Sequence, residues 1–303
     1  MNDQVRIVEV GPRDGLQNEK AQVAVDARVA FIEALLAAGL HTVEVGAFVS
    51  PKAIPQMAGS DEVLRRVSRH ANGEFHVLVP NEKGYEAARA AGAKVIAVFG
   101  SASEGFSRAN INCSIAESIE RFKPVVTRAR AEGVRVRGYI SCVIGCPYDG
   151  EVKPKAVVDV ARILWDLGCY EISLGDTIGV GTPKKARELL RAVAGHVPMT
   201  NLAMHFHDTY GQALANLYAG MEEGCRVIDS AAGGLGGCPY APGATGNVAT
   251  EDVVYMLQGM GVATGVDMAK LLKATNEISG LIGRPPVSRV AAALNAKRRA
   301  SGE

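Results

Sequence analysis

Residues 171–223, EISLGDTIGVGTPKKARELLRAVAGHVPMTNLAMHFHDTYGQALANLYAGMEE, carry the reading that decides the fold. Glu171–Leu174 reads as a strand, Pro183–Gly195 as a helix, Leu202–His205 as a strand and Gly211–Glu223 as a helix. The same alternation extends in both directions. Arg6–Val10, Thr42–Val45, Phe75–Val79, Val95–Phe99, Val134–Ile140 and Val227–Asp229 are the remaining apolar, β-branched runs. Asp26–Ala38, Asp61–His70, Glu82–Ala91, Ser114–Glu132 and Pro154–Leu167 are the helical segments between them. Gly39, Gly92, Gly133, Gly168 and Gly224 each stand where a helix should stop, just before a strand. Ser60-Asp61-Glu62 and Thr182-Pro183 read as helix starts.

Eight such β/α units in about 250 residues predict an α/β TIM (β/α)8 barrel. A doubly wound open sheet is the rival, but it needs fewer strands and a phosphate-binding glycine fingerprint. The turn after the first strand, Gly11-Pro12-Arg13-Asp14-Gly15, is no such fingerprint. The expectation is one domain over residues 1–303, with the barrel at about 5–262 and extra C-terminal helices at about 266–300.

The chain has 303 residues, 48% of them hydrophobic, and a formal net charge of +1. That is ample apolar content for a large core, and too little charge for a broad nucleic-acid or anionic-membrane surface. No apolar run reaches the length of a membrane span, and no secretory or transit pattern opens the sequence. The six cysteines, scattered without a zinc-type spacing, predict a reduced, cytoplasmic protein. Cys113, Cys142, Cys146, Cys169 and Cys225 read as small apolar core residues.

The chemistry gathers at the strand ends where a TIM barrel carries its active site. His205 and His207 stand at i and i+2, so on a strand both imidazoles share one face. A single histidine is more often a surface or hydrogen-bonded residue, and His41, His70, His76 and His196 are read that way. Arg13 and Asp14 follow strand one, Asp176 and Thr177 follow strand six, and Cys238 and Asn247 lie in the loop after strand eight. Because strand eight closes on strand one and borders strand seven, Asp14, His205, His207 and Asn247 can converge. A carboxylate, an amide oxygen and two imidazoles suit Mg²⁺ or Mn²⁺ better than tetrahedral zinc. Glu44, inside an apolar strand, needs a partner, and Arg13 is the predicted one. The bland alternative for Arg13-Asp14 is a structural ion pair.

Val-Gly-Pro-Arg-Asp-Gly-Leu-Gln-Asn-Glu (10–19), Ser-Leu-Gly-Asp-Thr-Ile-Gly (173–179), His-Phe-His-Asp-Thr-Tyr-Gly (205–211) and Gly-Gly-Cys-Pro-Tyr-Ala-Pro-Gly-Ala-Thr-Gly-Asn (236–247) closely resemble the 3-hydroxy-3-methylglutaryl-CoA lyase family. More broadly, they resemble the metal-dependent barrel family that includes isopropylmalate and homocitrate synthases. The resemblance implies Asp14, His205, His207 and Asn247 as ligands of a divalent metal, Mg²⁺ or Mn²⁺. It implies Arg13 as the cation opposing enolate charge, Cys238 as the loop residue essential for turnover, and Glu44 as an orienting group. Arg13, Gln17, Ser173, Asp176 and Thr177 are the candidate substrate contacts.

The reaction so implied is retro-Claisen cleavage of an acyl-CoA thioester, 3-hydroxy-3-methylglutaryl-CoA, to acetyl-CoA and acetoacetate. Cys238, His205 and Asp14 are rival proton carriers. Leucine degradation and a homodimer are usual in that family. The alternatives are a lyase for a different 3-hydroxyacyl-CoA, or an aldolase or Claisen-type acyltransferase. Two departures bear on the acyl chain: Ala47 stands where many relatives have Ser, and Ala53 where they have Trp. Both are expected beside the pocket, which would be roomier for the change.

Overall fold

The computed structural model describes residues 4–237 and 246–301. Eight parallel strands close into a barrel: β1 (Arg6–Glu9), β2 (Thr42–Ala47), β3 (Glu74–Leu78), β4 (Val95–Ser101), β5 (Arg135–Ser141), β6 (Glu171–Asp176), β7 (Leu202–Phe206) and β8 (Val227–Ser230). Around the barrel they run β1-β8-β7-β6-β5-β4-β3-β2, so each pairs with its neighbours in sequence and β8 closes on β1. This is the TIM-barrel fold expected from the alternation.

The helices are α1 (Val25–Ala37), α2 (Ser60–Val67), α3 (Glu82–Ala90), α4 (Glu104–Ile111), α5 (Ile115–Ala131), α6 (Pro154–Leu167), α7 (Pro183–Ala194), α8 (Ala213–Glu222), α9 (Thr250–Gly259), α10 (Met268–Ile282) and α11 (Arg289–Ser301). Their inward faces and the strands form one continuous apolar core. The five predicted stop glycines all adopt positive φ, from 71° at Gly133 to 109° at Gly168. A Cβ in that region is strained, so glycine ends these helices at no steric cost.

Both expected helix starts are in place, though neither is capped by a side chain. Ser60 opens α2 but does not cap it: its buried hydroxyl donates to the Met57 carbonyl at 2.7 Å and accepts from the Ala47 amide at 3.2 Å. Thr182 likewise precedes α7 without a side-chain cap, and Pro183, which needs no amide partner, starts the helix. The helix α4 was not expected, because Glu104–Ile111 lacks a clean apolar period. The Ser103 hydroxyl accepts from the Phe106 amide at 3.1 Å, and that cap sets its start.

The two terminal helices pack outside the barrel. Asp267 caps α10, and its own amide donates to the Ala38 carbonyl at 2.8 Å beyond α1. α11 is docked by Asp252 of α9, which accepts from the Ser288 hydroxyl at 2.7 Å and the Val290 amide at 2.9 Å.

The barrel interior is unusual in being ionic. Arg137 on β5 is fully buried and donates to Glu171 on β6 at 2.7 Å and to both carboxylate oxygens of Asp229 on β8, at 2.7 and 2.9 Å. Its third partner, the Tyr139 hydroxyl, lies 2.8 Å away. A guanidinium is tolerated there because its planar donors match two carboxylates at once. His76 is in mid-strand on β3 and fully buried, with Nε2 2.8 Å from Glu74.

Candidate active site

The turn after β1, Gly11–Gly15, is a wide coil in which the Gly15 amide reaches back to the Val10 carbonyl at 3.2 Å. It lifts Arg13 and Asp14 over the C-terminal mouth of the barrel. Arg13 Nε donates to Glu44 on β2 at 2.7 Å, and Nη1 donates to Asp14 at 2.8 Å. The predicted Arg13–Glu44 pairing is therefore present, and the Arg13–Asp14 contact coexists with it. Burial works to strip the charge from Arg13, but Glu44 and then Asp14 overcome it and keep the guanidinium firmly protonated.

His205 is the next-to-last residue of β7 and His207 stands one residue beyond the strand, and their rings lie 5.6 Å apart. Asp14, His205 and His207 each offer a ligand atom, all within 4.8 Å of one another. Asn247 joins them because the chain returning from the β8 loop zips against β7. Asn247 bridges to His207, and the Asp208 amide donates to the Gly246 carbonyl at 3.2 Å. The Asn247 amide nitrogen donates to Asp14 Oδ2 at 2.8 Å.

A divalent cation fits this cluster on its donor chemistry and on two buried atoms. Asn247 Oδ1 and His207 Nδ1 are both buried with no hydrogen-bond partner among the described residues. Unpartnered buried acceptors are costly unless something meets them. Burial would raise the Asp14 carboxyl, but Arg13, then His205, His207 and the Asn247 amide, bring it down to about 2. His207 is lowered to about 4 by burial first and by His205 second, which leaves it neutral at ordinary pH. An ionised carboxylate and a neutral imidazole are the forms that bind a metal.

Behind this cluster stands a residue the sequence reading missed. Asp229 of β8 lies 3.2 Å from His205 Nδ1, and it also accepts from the Ser173 hydroxyl at 2.8 Å and from Arg137. Burial would raise this carboxyl, yet Arg137 above all holds it far below the ordinary carboxylate range. The contact fixes the proton on His205 Nδ1 and turns Nε2 toward Asp14, 3.8 Å away. The available signal was an aspartate closing an apolar strand beside the H-x-H strand. Asp229→Asn offers Nδ1 an amide in place of a carboxylate. It should weaken Mn²⁺ binding by about 10- to 100-fold, as loss of such an outer partner does elsewhere. Isothermal titration with Mn²⁺ checks this, and unchanged affinity would remove Asp229 from the site.

A cavity of about 690 Å³ opens in front of the cluster. Arg13, Asp14, Tyr139, His205 and His207 form its polar lining, while Val49, Ala53, Ile54, Phe99, Phe106 and Ile111 form an apolar one. Gln17, Lys20 and Thr177 also border it, and Gln17 Oε1 is buried without a partner among the described residues. Ser173 and Asp176 do not line it. Ser173 is spent on Asp229, and Asp176 accepts from the Val180 and Gly181 amides at 3.2 and 2.7 Å, shaping the turn after β6. Ala53 lines the cavity as expected, whereas Ala47 is buried in β2 with its amide bound to Ser60. Cys238 lies outside the described residues.

A closed parallel barrel with an acid–imidazole cluster at its C-terminal mouth defines the class of (β/α)8 enzymes built around a divalent cation. Within that class, the HMGL-like family profile matches residues 4–278, and this chain belongs to that family. A 3-hydroxy-3-isohexenylglutaryl-CoA/hydroxy-methylglutaryl-CoA lyase of Pseudomonas aeruginosa is 58% identical over 97% of this chain and 98% of its own. A hydroxymethylglutaryl-CoA lyase of Pseudomonas mevalonii is 54% identical over 97% of each chain. Among solved structures, a Pseudomonas aeruginosa hydroxymethylglutaryl-CoA lyase superposes with a TM-score of 0.95 at 58% identity, covering 98% of this chain and 100% of that one. An HMG-CoA lyase of Acinetobacter baumannii, solved in complex with coenzyme A and 3-methylmalate, superposes with a TM-score of 0.92 at 35% identity over 97% and 96% of the two chains.

Proposed function

We propose that this chain cleaves 3-hydroxy-3-methylglutaryl-CoA to acetyl-CoA and acetoacetate. The observation that carries the reading is the convergence of Asp14, His205, His207 and Asn247 beside Arg13 at the cavity. A divalent cation held by those four residues supplies Lewis-acid polarisation of oxygen.

The chain's own groups supply the rest. Arg13, pinned by Glu44 and Asp14, faces the cavity as a preorganised positive charge, the kind of group that opposes a developing thioester enolate. The substrate's C3 hydroxyl gives up its proton, the C2–C3 bond breaks to leave a ketone, and its electron pair enters the thioester as the enolate. Protonation at carbon then gives acetyl-CoA. Asp14, held near 2, is a better ligand than base at neutral pH. His205, with Nε2 given to the cation and its Nδ1 proton on Asp229, has no free lone pair, so Cys238 is the proton carrier of this scheme. Gln17 and Thr177 border the cavity as polar contacts for substrate, and Ser173 and Asp176 serve as positioning groups instead.

The test is acetyl-CoA release with Mg²⁺ or Mn²⁺, and again with EDTA. Metal-dependent release of acetyl-CoA and acetoacetate supports the reading, and no release from metal-loaded protein sinks it. Cys238→Ala should lower kcat by orders of magnitude and leave Mn²⁺ affinity unchanged; near-normal turnover would remove that thiol from the mechanism.

A second reading, a longer acyl chain at C3, is favoured by one feature. The small Ala53 stands in an apolar lining with Val49, Ile54 and Phe106, more surface than a methyl group needs. Ala53→Trp should then slow a long-chain substrate far more than the methyl one; equal slowing argues against it.

We further propose a single domain across the chain, a homodimer and a cytoplasmic location. These rest on the family resemblance and on the cysteine pattern. No helix among the described residues is long and apolar enough to cross a membrane.

A further inference from the structure

Glu9, the last residue of β1, is fully buried, and the scheme above does not use it. One of its oxygens, Oε1, accepts from two backbone amides: Gly11 at 2.8 Å and Ala232 at 2.9 Å. The first amide opens the turn that carries Arg13 and Asp14. The second opens the segment that follows β8. A single carboxylate oxygen therefore ties the two loops together at their roots.

The same loops meet again at the site. Asn247 Nδ2 donates to Asp14 Oδ2 at 2.8 Å and to the Leu235 carbonyl at 3.3 Å. Leu235 is three residues beyond Ala232, and its amide returns to the Ala232 carbonyl at 3.3 Å. Glu9, the Asp14 turn and the Ala232–Leu235 segment thus close a ring of contacts whose far side is Asp14 and Asn247. The β8 segment is gripped a second time, since both Glu251 oxygens lie 2.9–3.0 Å from the Gly233 amide.

Gly11 shows how close the fit at Glu9 is. A Cβ on Gly11 would lie 2.5 Å from Glu9 Oε1, well inside contact distance. Glycine at 11 is thus required for the carboxylate to reach both amides. Burial, the largest influence on Glu9, pushes its carboxyl up to about 7 against the pull of Thr250 and the two amides. An apolar side chain would avoid that cost but could not accept from either loop.

We infer that Glu9 is a positioning residue for the metal site: by accepting from Gly11 and Ala232 together, it sets the spacing between Asp14 and Asn247. The inference rests on the proposed ligand assignment, though not on the proposed reaction. Its effect is read as metal affinity, separately from turnover.

The experiment is isothermal titration of Mn²⁺ into the wild type and into Glu9→Asp, Glu9→Gln and Gly11→Ala, with thermal melts of each. Aspartate is one methylene too short to serve both amides, and alanine at 11 displaces the carboxylate while leaving Glu9 in place. Both variants should bind Mn²⁺ on the order of tenfold more weakly or worse. Glu9→Gln keeps an oxygen able to accept from both amides and should restore most of the affinity, a rescue that a simple loss of stability would not show. Wild-type Mn²⁺ affinity in folded Glu9→Asp or Gly11→Ala would overturn the inference, as would a Glu9→Gln variant as weak as Glu9→Asp. If Glu9→Asp does not fold, Gly11→Ala carries the test. A wild type that binds Mn²⁺ but releases no acetyl-CoA would sink the proposed reaction and leave the Glu9 result standing.

Discussion

Arg13→Gln is expected to lower kcat by about 100- to 1,000-fold, the range seen when one preorganised donor to a developing oxyanion is removed. The guanidinium is nearly buried, its side chain 8% exposed, and it is held from two sides by Glu44 and Asp14. Glutamine's amide nitrogen, at the level of Nε, can keep the bond to Glu44, but the bond to Asp14 and the positive charge are lost. Because the charge is wanted when the enolate forms and not before, kcat should fall far more than KM rises. The same change also leaves Glu44 fully buried without its cation. Breaking a buried pair from one side costs about 3–5 kcal/mol, so a lowered Tm should accompany the kinetic loss. Steady-state kinetics and a thermal melt separate the two effects. A variant that melts lower but turns over normally would make Arg13 a structural ion-pair partner only.

The second large effect is on the metal. His205→Ala removes one of four proposed ligands and also strips Asp229 of one of its four hydrogen-bond contacts. Asp14→Asn is subtler: it keeps the shape, removes the charge and sets an amide against the Asn247 nitrogen. Both should weaken Mn²⁺ binding by at least about 100-fold, more than the loss of an outer partner produces. Activity should return only in part as Mn²⁺ is raised. Titration curves that overlay the wild type would refute the ligand assignment. Asp14→Asn also tests the electrostatics, because the nearby Arg13 and the two histidines lose the carboxylate that balances them.

Much of this architecture was legible in the chain. Strands and helices alternate with the glycine stops in place, and all five stops adopt the backbone that only glycine takes without strain. His205-x-His207 announced a shared face, and Glu44 in an apolar strand demanded a cation, which Arg13 provides at 2.7 Å. Other features were invisible. Ser173 and Asp176 sit in a conspicuous motif at the right end of β6, and both are turned to internal hydrogen bonds. Ala47 and Ala53 looked alike as departures, yet only Ala53 borders the cavity. The α4 helix, which brings Phe106 and Ile111 to that cavity, had no apolar period to reveal it.

By itself, then, the sequence determined the elements and their order, because helix and strand periodicities, caps and stops are local properties of a few consecutive residues. It also determined which residue types reach the mouth, because a (β/α)8 chain presents the ends of its strands there. Only the closed barrel decided who meets whom. Arg137 and Asp229 are 92 residues apart, and Glu9 and Ala232 are 223 apart. Their contacts depend on strand register and on the closure of β8 against β1, which no local pattern encodes. A buried charge finds its partner across the barrel because desolvation makes every other arrangement costlier.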